Sequence, residues 1–165
     1  MFFGKLIPYF ILSSVLVVFV FMVLYPIFGI HIEGSLLSVF FFVEIFVLAS
    51  FSLGMMLSSI FKKDVMALDF AFFYNSPAFI FSGFTFPIYG MPFFDQIYAY
   101  LIPYTHFLDG FFKLSQMGLP FSASLPEVRG LLIFVLVGFV GTIIPLYIRT
   151  RKALRGISME GGMQS

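Results

Sequence analysis

Residues 81–94, FSGFTFPIYGMPFF, place two glycines and two prolines inside one of the most apolar regions of a 165-residue chain. Proline fixes φ and removes an N–H donor, and glycine allows φ > 0, so a helix arriving from the N-terminal side has to stop and turn here. Gly83, Pro87, Gly90 and Pro92 are therefore the residues expected to decide where one helix ends and the next begins. The segment that follows, PFFDQIYAYLIPYTHFLDGFFKLSQMG at 92–118, holds two short apolar helix candidates, 93–101 and 106–116. Ile102-Pro103-Tyr104 separates them. A helix of this length covers only about 14 Å, roughly half of a bilayer's hydrocarbon core. Asp109 and Lys113, spaced i,i+4, suit a helix at an interface, and the tyrosines at 89, 98, 100 and 104 suit the headgroup level. The pattern predicts a re-entrant or interfacial helical hairpin that dips in from one side, with Pro103 and Tyr104 at its turn.

Composition sets the wider frame. With 61% hydrophobic and 10% charged residues, 27 phenylalanines and a mean hydropathy of +1.07, the chain lies outside the range of soluble domains. The fold class expected is an all-α integral membrane protein. Four stretches are long enough to cross the bilayer: 6–30, 36–60, 65–86 and 131–148. Their backbones have to be helical, because lipid offers no partner to a free N–H or C=O. The first resembles a signal peptide only superficially, since it runs unbroken to Tyr25, has no alanine before Ala49 and no small-x-small site, and it reads as a retained span. Pro77, in Asn75-Ser76-Pro77, falls inside the third stretch and predicts a kink.

If the spans alternate, Lys5, Lys62, Lys63, Arg149, Arg151, Lys152 and Arg155 share one side, and of the nine basic residues only Lys113 and Arg129 fall opposite. That imbalance predicts both termini in the cytoplasm and a multi-pass protein of the cell membrane, with the hairpin outside. Residues 1–155 form the membrane domain in this reading, and 156–165 a disordered cytoplasmic tail. A net charge of +1 leaves no basic surface for nucleic acid. The chain has no cysteine, and His31 and His106 lack any metal-ligand spacing, so neither a metal site nor a catalytic centre is expected. No GxxxxGK[ST] phosphate loop occurs, so energy has to come from a partner or a gradient.

FSGFTFPIYGMPFFDQIYAYLIPYTHFLDGFFK resembles the segment linking the last two spans of type-2 ABC exporter permeases, where SGF-x-FP, MP and a Tyr-x-Ile-Pro-Tyr-Thr-like turn follow one another. Gly4-Lys5-Leu6-Ile7-Pro8-Tyr9 is similar to the end of the coupling helix entering the third span, and Leu53-Gly54-Met55-Met56-Leu57-Ser58 to the end of the fourth. The resemblance implies a permease subunit rather than an enzyme. It implies a cytoplasmic ATPase partner that uses the ATP, a second permease subunit, and a surrounding of membrane lipid. Phe2, Phe3, Gly4 and Lys5 are the implied ATPase contact, and the hairpin the implied outer gate. Such permeases have six spans and this chain matches the last four, so a C-terminal portion, a split subunit or a start misassigned at Met1 is expected, with an N-terminal permease half as a further partner.

Two features inside the spans stand apart. Ser50, Gly54 and Ser58 recur every fourth residue and line one helix face, which suits close helix packing or a dimer or pathway surface. Glu44 lies about two turns inside the second stretch, where a charge is costly and an acid is either functional or held by a neighbouring helix. A gradient-driven transporter using Glu44 as proton carrier, and a non-transporting membrane scaffold, are the competing readings.

Overall fold

The computed structural model describes residues 2–61, 63–83 and 87–161, with side chains at 7–61, 63, 65–83, 87–145 and 147. Among the described residues the chain is helical and contains no strand. Helix α1 (Phe2–Phe19) passes through a π-helical turn, Val20–Leu24, into α2 (Tyr25–Ile27). There follow α3 (Leu36–Ile60), α4 (Asp64–Phe81), α5 (Phe93–Tyr100), α6 (Pro103–Ser115) and α7 (Leu125–Gly161). Among the described residues, three segments are long and apolar enough to cross a membrane: Ile7–Ile27, Leu36–Ile60 and Phe121–Pro145. The apolar part of α4, Val65–Phe81, is shorter. The chain is a multi-pass membrane protein.

Local chemistry explains the boundaries. Pro26 has no N–H for the carbonyl four residues back, and just before it the helix widens, with the Tyr25 N–H donating to the Val20 carbonyl. Where the sequence predicts a helix to Phe86, α4 stops at Phe81, and residues 84–86 lie outside the described residues. The cause is Gly83, whose φ of 91° no L side chain adopts readily. Pro103 and Tyr104 are the other correction: instead of forming the hairpin turn they open α6, Pro103 sitting at the helix start where a missing N–H costs nothing. The turn is Leu101 and Ile102. Helix α7 begins six residues before the predicted Leu131, after a 3-10 turn at Phe121–Ser124, and its backbone continues to Gly161, past Arg155. Residues 162–165 lie outside the described residues.

Helix α3 is the hub. Helix α7 runs parallel to it: the Ser52 hydroxyl lies 3.4 Å from the Phe134 carbonyl and the Ser59 hydroxyl 3.3 Å from the Gly141 carbonyl. A Cβ added to Gly138 would meet Ser52, and one added to Gly141 would meet Met56, so both glycines allow close approach. Helices α1, α4 and α6 are antiparallel to α3, as Ser14–Glu44, Phe61–Phe70 and the pairs Phe107–Phe46 and Ser115–Glu33 place them. A core of Val39, Phe42, Ala49, Leu114, Leu131 and Val135 joins α3, α6 and α7.

Candidate functional site

The hairpin α5–α6 is the feature on which the sequence motifs converge. From α4 the chain returns along the same helix: Phe81 packs edge-on against Tyr98 at 5.5 Å, and the Tyr98 hydroxyl donates to the Tyr74 carbonyl at 3.0 Å. The Tyr74 hydroxyl donates in turn to the Leu101 carbonyl at 2.7 Å, which pins the hairpin turn to the middle of α4. Helix α6 then climbs along α3 to the loop before it. Phe107 stacks on Phe46 at 4.2 Å, and the Glu33 N–H donates to the Ser115 carbonyl at 2.9 Å. Tyr98 thus lies along the second half of α4, between Tyr74 and Phe81, and Tyr104 against Phe46 in the middle of α3, while Tyr89, 91% exposed, is at the surface.

Two contacts that the sequence does not signal hold α6 in place. Gly110 faces the fully buried Phe42, and an added Cβ would fall 2.1 Å from its ring. Gly110→Ala is therefore expected to destabilise the protein by about 1–3 kcal/mol. Phe42→Leu in the same chain should recover part of the loss, read from thermal unfolding in detergent. Gly34, likewise, leaves room for the Leu114 carbonyl, where a side chain would overlap backbone.

At the far end of α6, Lys113 pairs with Glu127 of α7 rather than with Asp109, the partner suggested by i,i+4 spacing. Glu127 is buried, and its Oε2 has no partner among the described residues. Although the Asp109 side chain is exposed, the surrounding protein desolvates its carboxyl and raises it from the usual carboxylate range. Lys113 opposes that shift, Glu127 adds to it, and His106 opposes it.

The remaining sequence candidates are spread over several elements. Glu44 is 8% exposed and faces α1, where the Ser14 hydroxyl donates to Oε2 at 3.0 Å and Oε1 has no partner among the described residues. Ser50, Gly54 and Ser58 lie on an exposed face of α3, so the tight packing within the chain uses Ser52 and Ser59, one face over. Ser50 and Gly54 border a cavity that Pro103 also lines. Of the hairpin-flanking residues, Pro87 precedes the 3-10 turn Ile88–Gly90 and Pro92 caps α5, so these mark the helix boundaries. The backbone of Phe2, Phe3, Gly4 and Lys5 is the first turn of α1, and their side chains lie outside the described residues. Among the described residues no group of three or more His, Asp or Glu could hold a metal ion.

Comparison with known proteins gives a consistent picture. The family model described as ABC-2 type transporter matches residues 1–114. The probable multidrug ABC transporter permease YbhS of Escherichia coli strain K12 is 34% identical over 109 residues, and so is that of Escherichia coli O157:H7. The aligned part is 64% of this chain and 28% of each relative, so the chain spans little more than a quarter of the length of these relatives. No solved structure matches. The family match covers more than half of the chain and includes both the N-terminal motif and the hairpin, and the chain belongs to the ABC-2 type transporter family.

Proposed function

We propose that the chain is part of the membrane-spanning permease of an ATP-driven exporter, with α1, α3, α4 and α7 crossing the bilayer and α5–α6 re-entering from the outer side as a gate. The observation that carries the reading is the depth of the hairpin turn. Pro103 borders the same cavity as Ser50, roughly 20 Å along α3 from Leu36, and Leu101 is bonded to Tyr74 in the middle of α4. A loop resting on the surface would not reach that far. A separate cytoplasmic ATPase would supply the energy, touching the Phe2-Phe3-Gly4-Lys5 edge, and a second permease subunit would complete the pathway. N-terminal spans would be contributed by sequence corresponding to the rest of the relatives' length. Both termini face the cytoplasm in this arrangement.

Because the chain has no cysteine, single cysteines report its topology directly. Ser35→Cys and Ser122→Cys, both exposed, are expected to react with an impermeant thiol reagent in intact cells. Lys63→Cys should react only after permeabilisation, and Leu101→Cys slowly in both cases. Rapid labelling of Leu101→Cys from outside would replace the re-entrant hairpin by an ordinary loop. Glu44 favours one other mechanism, since a buried acid with a single hydroxyl partner can carry a proton. Transport driven by a proton gradient without an ATPase, and abolished by Glu44→Gln, would select it.

A further inference from the structure

Helix α6 lies antiparallel to the start of α7, and ionisable side chains run along the contact. At one end Lys113 bonds to Glu127 at 2.5 Å; at the other, His106 rests where Gly130 has no side chain, with its ring 5.9 Å from Phe134. Asp109 lies between them on α6. It is exposed and forms no ion pair among the described residues, although Lys113 follows it at i,i+4, the acid-before-base order that favours pairing within a helix. Lys113 therefore has two carboxylates as neighbours, one on its own helix and one on α7, and only the second ties the hairpin to α7. Glu127 has the ammonium alone, since its buried Oε2 has no partner among the described residues. The other ionisable groups around α6 are exposed Arg129 on α7, exposed His31 and Glu33 on the loop before α3, and the phenols Tyr74 of α4 and Tyr100 of α5. Toward α6, helix α3 presents Phe42 and Phe46, while its Glu44 faces α1.

We propose that Asp109 is a proton-operated release for the α6–α7 clamp: charged, it competes with Glu127 for the Lys113 ammonium, and with a proton bound it leaves the ammonium to Glu127. The hairpin is then held to α7 more tightly in acid and more loosely near neutrality. The desolvation that raises the Asp109 carboxyl above the usual carboxylate range gives the same sign. The folded arrangement binds this proton more tightly than the unfolded chain, so the contribution to stability is present in acid and is lost as pH rises through the raised value. Being exposed, Asp109 exchanges its proton directly with the surrounding solution. That this regulates an outer gate rests on the function proposed above; the clamp itself rests on the contacts between α6 and α7.

Hydrogen exchange of the α6 amides, followed by mass spectrometry on the full chain in phosphatidylcholine nanodiscs and corrected for the intrinsic pH dependence of exchange, reads how often α6 opens. From pH 7.5 to 5.5 the protection of α6 is expected to rise about twofold, the worth of one i,i+4 ion pair. Asp109→Asn, neutral throughout, should show the higher protection at both pH values, and Asp109→Ser takes its place if that variant folds poorly. Glu127→Gln should lower the protection and remove the response, because Lys113 then has no charged partner on α7. His106→Gln should keep the response, which separates Asp109 from the imidazole along the same contact. Protection that stays flat or falls in acid, or a response that survives Asp109→Asn, overturns the proposal, and a response lost in His106→Gln does so by assigning the switch to the histidine. Nanodiscs expose both faces of the bilayer and the measurement needs no ATP, so a reversed topology or a missing ATPase partner would overturn the proposed function and leave this result standing.

Discussion

Gly138→Leu is expected to abolish the monodisperse folded protein, while Gly54→Leu, two residues further along the facing helix than Ser52, leaves it intact. The contrast follows from what a side chain would meet. At Gly138 an added Cβ lies 2.5 Å from the Ser52 carbonyl carbon, and backbone cannot swing aside. At Gly54 there is open space. Between two apolar helices in lipid there is no hydrophobic gain from association, so van der Waals contact at close range does most of the work. Ser52 and Ser59 take part because their hydroxyls are bonded back to their own helix, at Ala49 and Met56, and leave small surfaces for α7. Gly138→Ala should cost about 1–3 kcal/mol. Gly141→Ala should cost less, because the atoms in its way, 2.5 and 2.6 Å off, are the Sδ and Cγ of Met56, a flexible side chain. Thermal unfolding followed by size-exclusion chromatography in detergent ranks the variants. Equal stability of Gly138→Leu and the parent would mean that α3 and α7 do not meet along this seam.

Lys113→Met should be the most damaging single substitution at the α7 end of the hairpin, at about 2 kcal/mol or more, below the figure for a fully buried pair because the lysine side chain is 35% exposed. The loss comes from Glu127, whose side chain is 10% exposed and whose second oxygen already lacks a partner. Without the ammonium it would be a buried, uncompensated anion. Glu127→Gln is expected to cost less, since the freed lysine can reach solvent. The double variant Lys113→Met/Glu127→Leu should return close to the parent, because an apolar pair of similar volume escapes the desolvation penalty altogether. Unfolding of the four proteins in detergent gives the cycle. Additive losses in the double variant would show that the two side chains do not act as a pair.

The sequence legibly carried what depends on chain-local physics. Apolar runs of sufficient length identify membrane helices whatever they pack against, because lipid leaves the backbone no other way to satisfy its hydrogen bonds. The range Leu36–Ile60 was readable to the residue for α3, and the glycine and proline cluster at 83–92 marked the break before the hairpin. The order of short apolar motifs also pointed to the family. Local signals were weaker where two rules competed. Pro103 reads equally as a turn residue or as the first residue of a helix, and the structure has the second.

Tertiary structure alone decided which face of each helix meets which neighbour. In an apolar span every face is hydrophobic, so the amphipathic pattern that orients a helix in a water-soluble protein is missing. That is why the spacing of Ser50, Gly54 and Ser58 leaves helix packing and a dimer or pathway surface equally open while the contacts between α3 and α7 fall to Ser52 and Ser59, and why Lys113 finds Glu127 across a helix interface instead of Asp109 one turn away. The Tyr74–Leu101 and Tyr98–Tyr74 bonds, which fix how deep the hairpin reaches, join residues 24 and 27 positions apart and leave no periodic trace. Local rules set where the helices begin and end; the depth of the hairpin and the cavity beneath it come from contacts between segments that only the folded chain brings together.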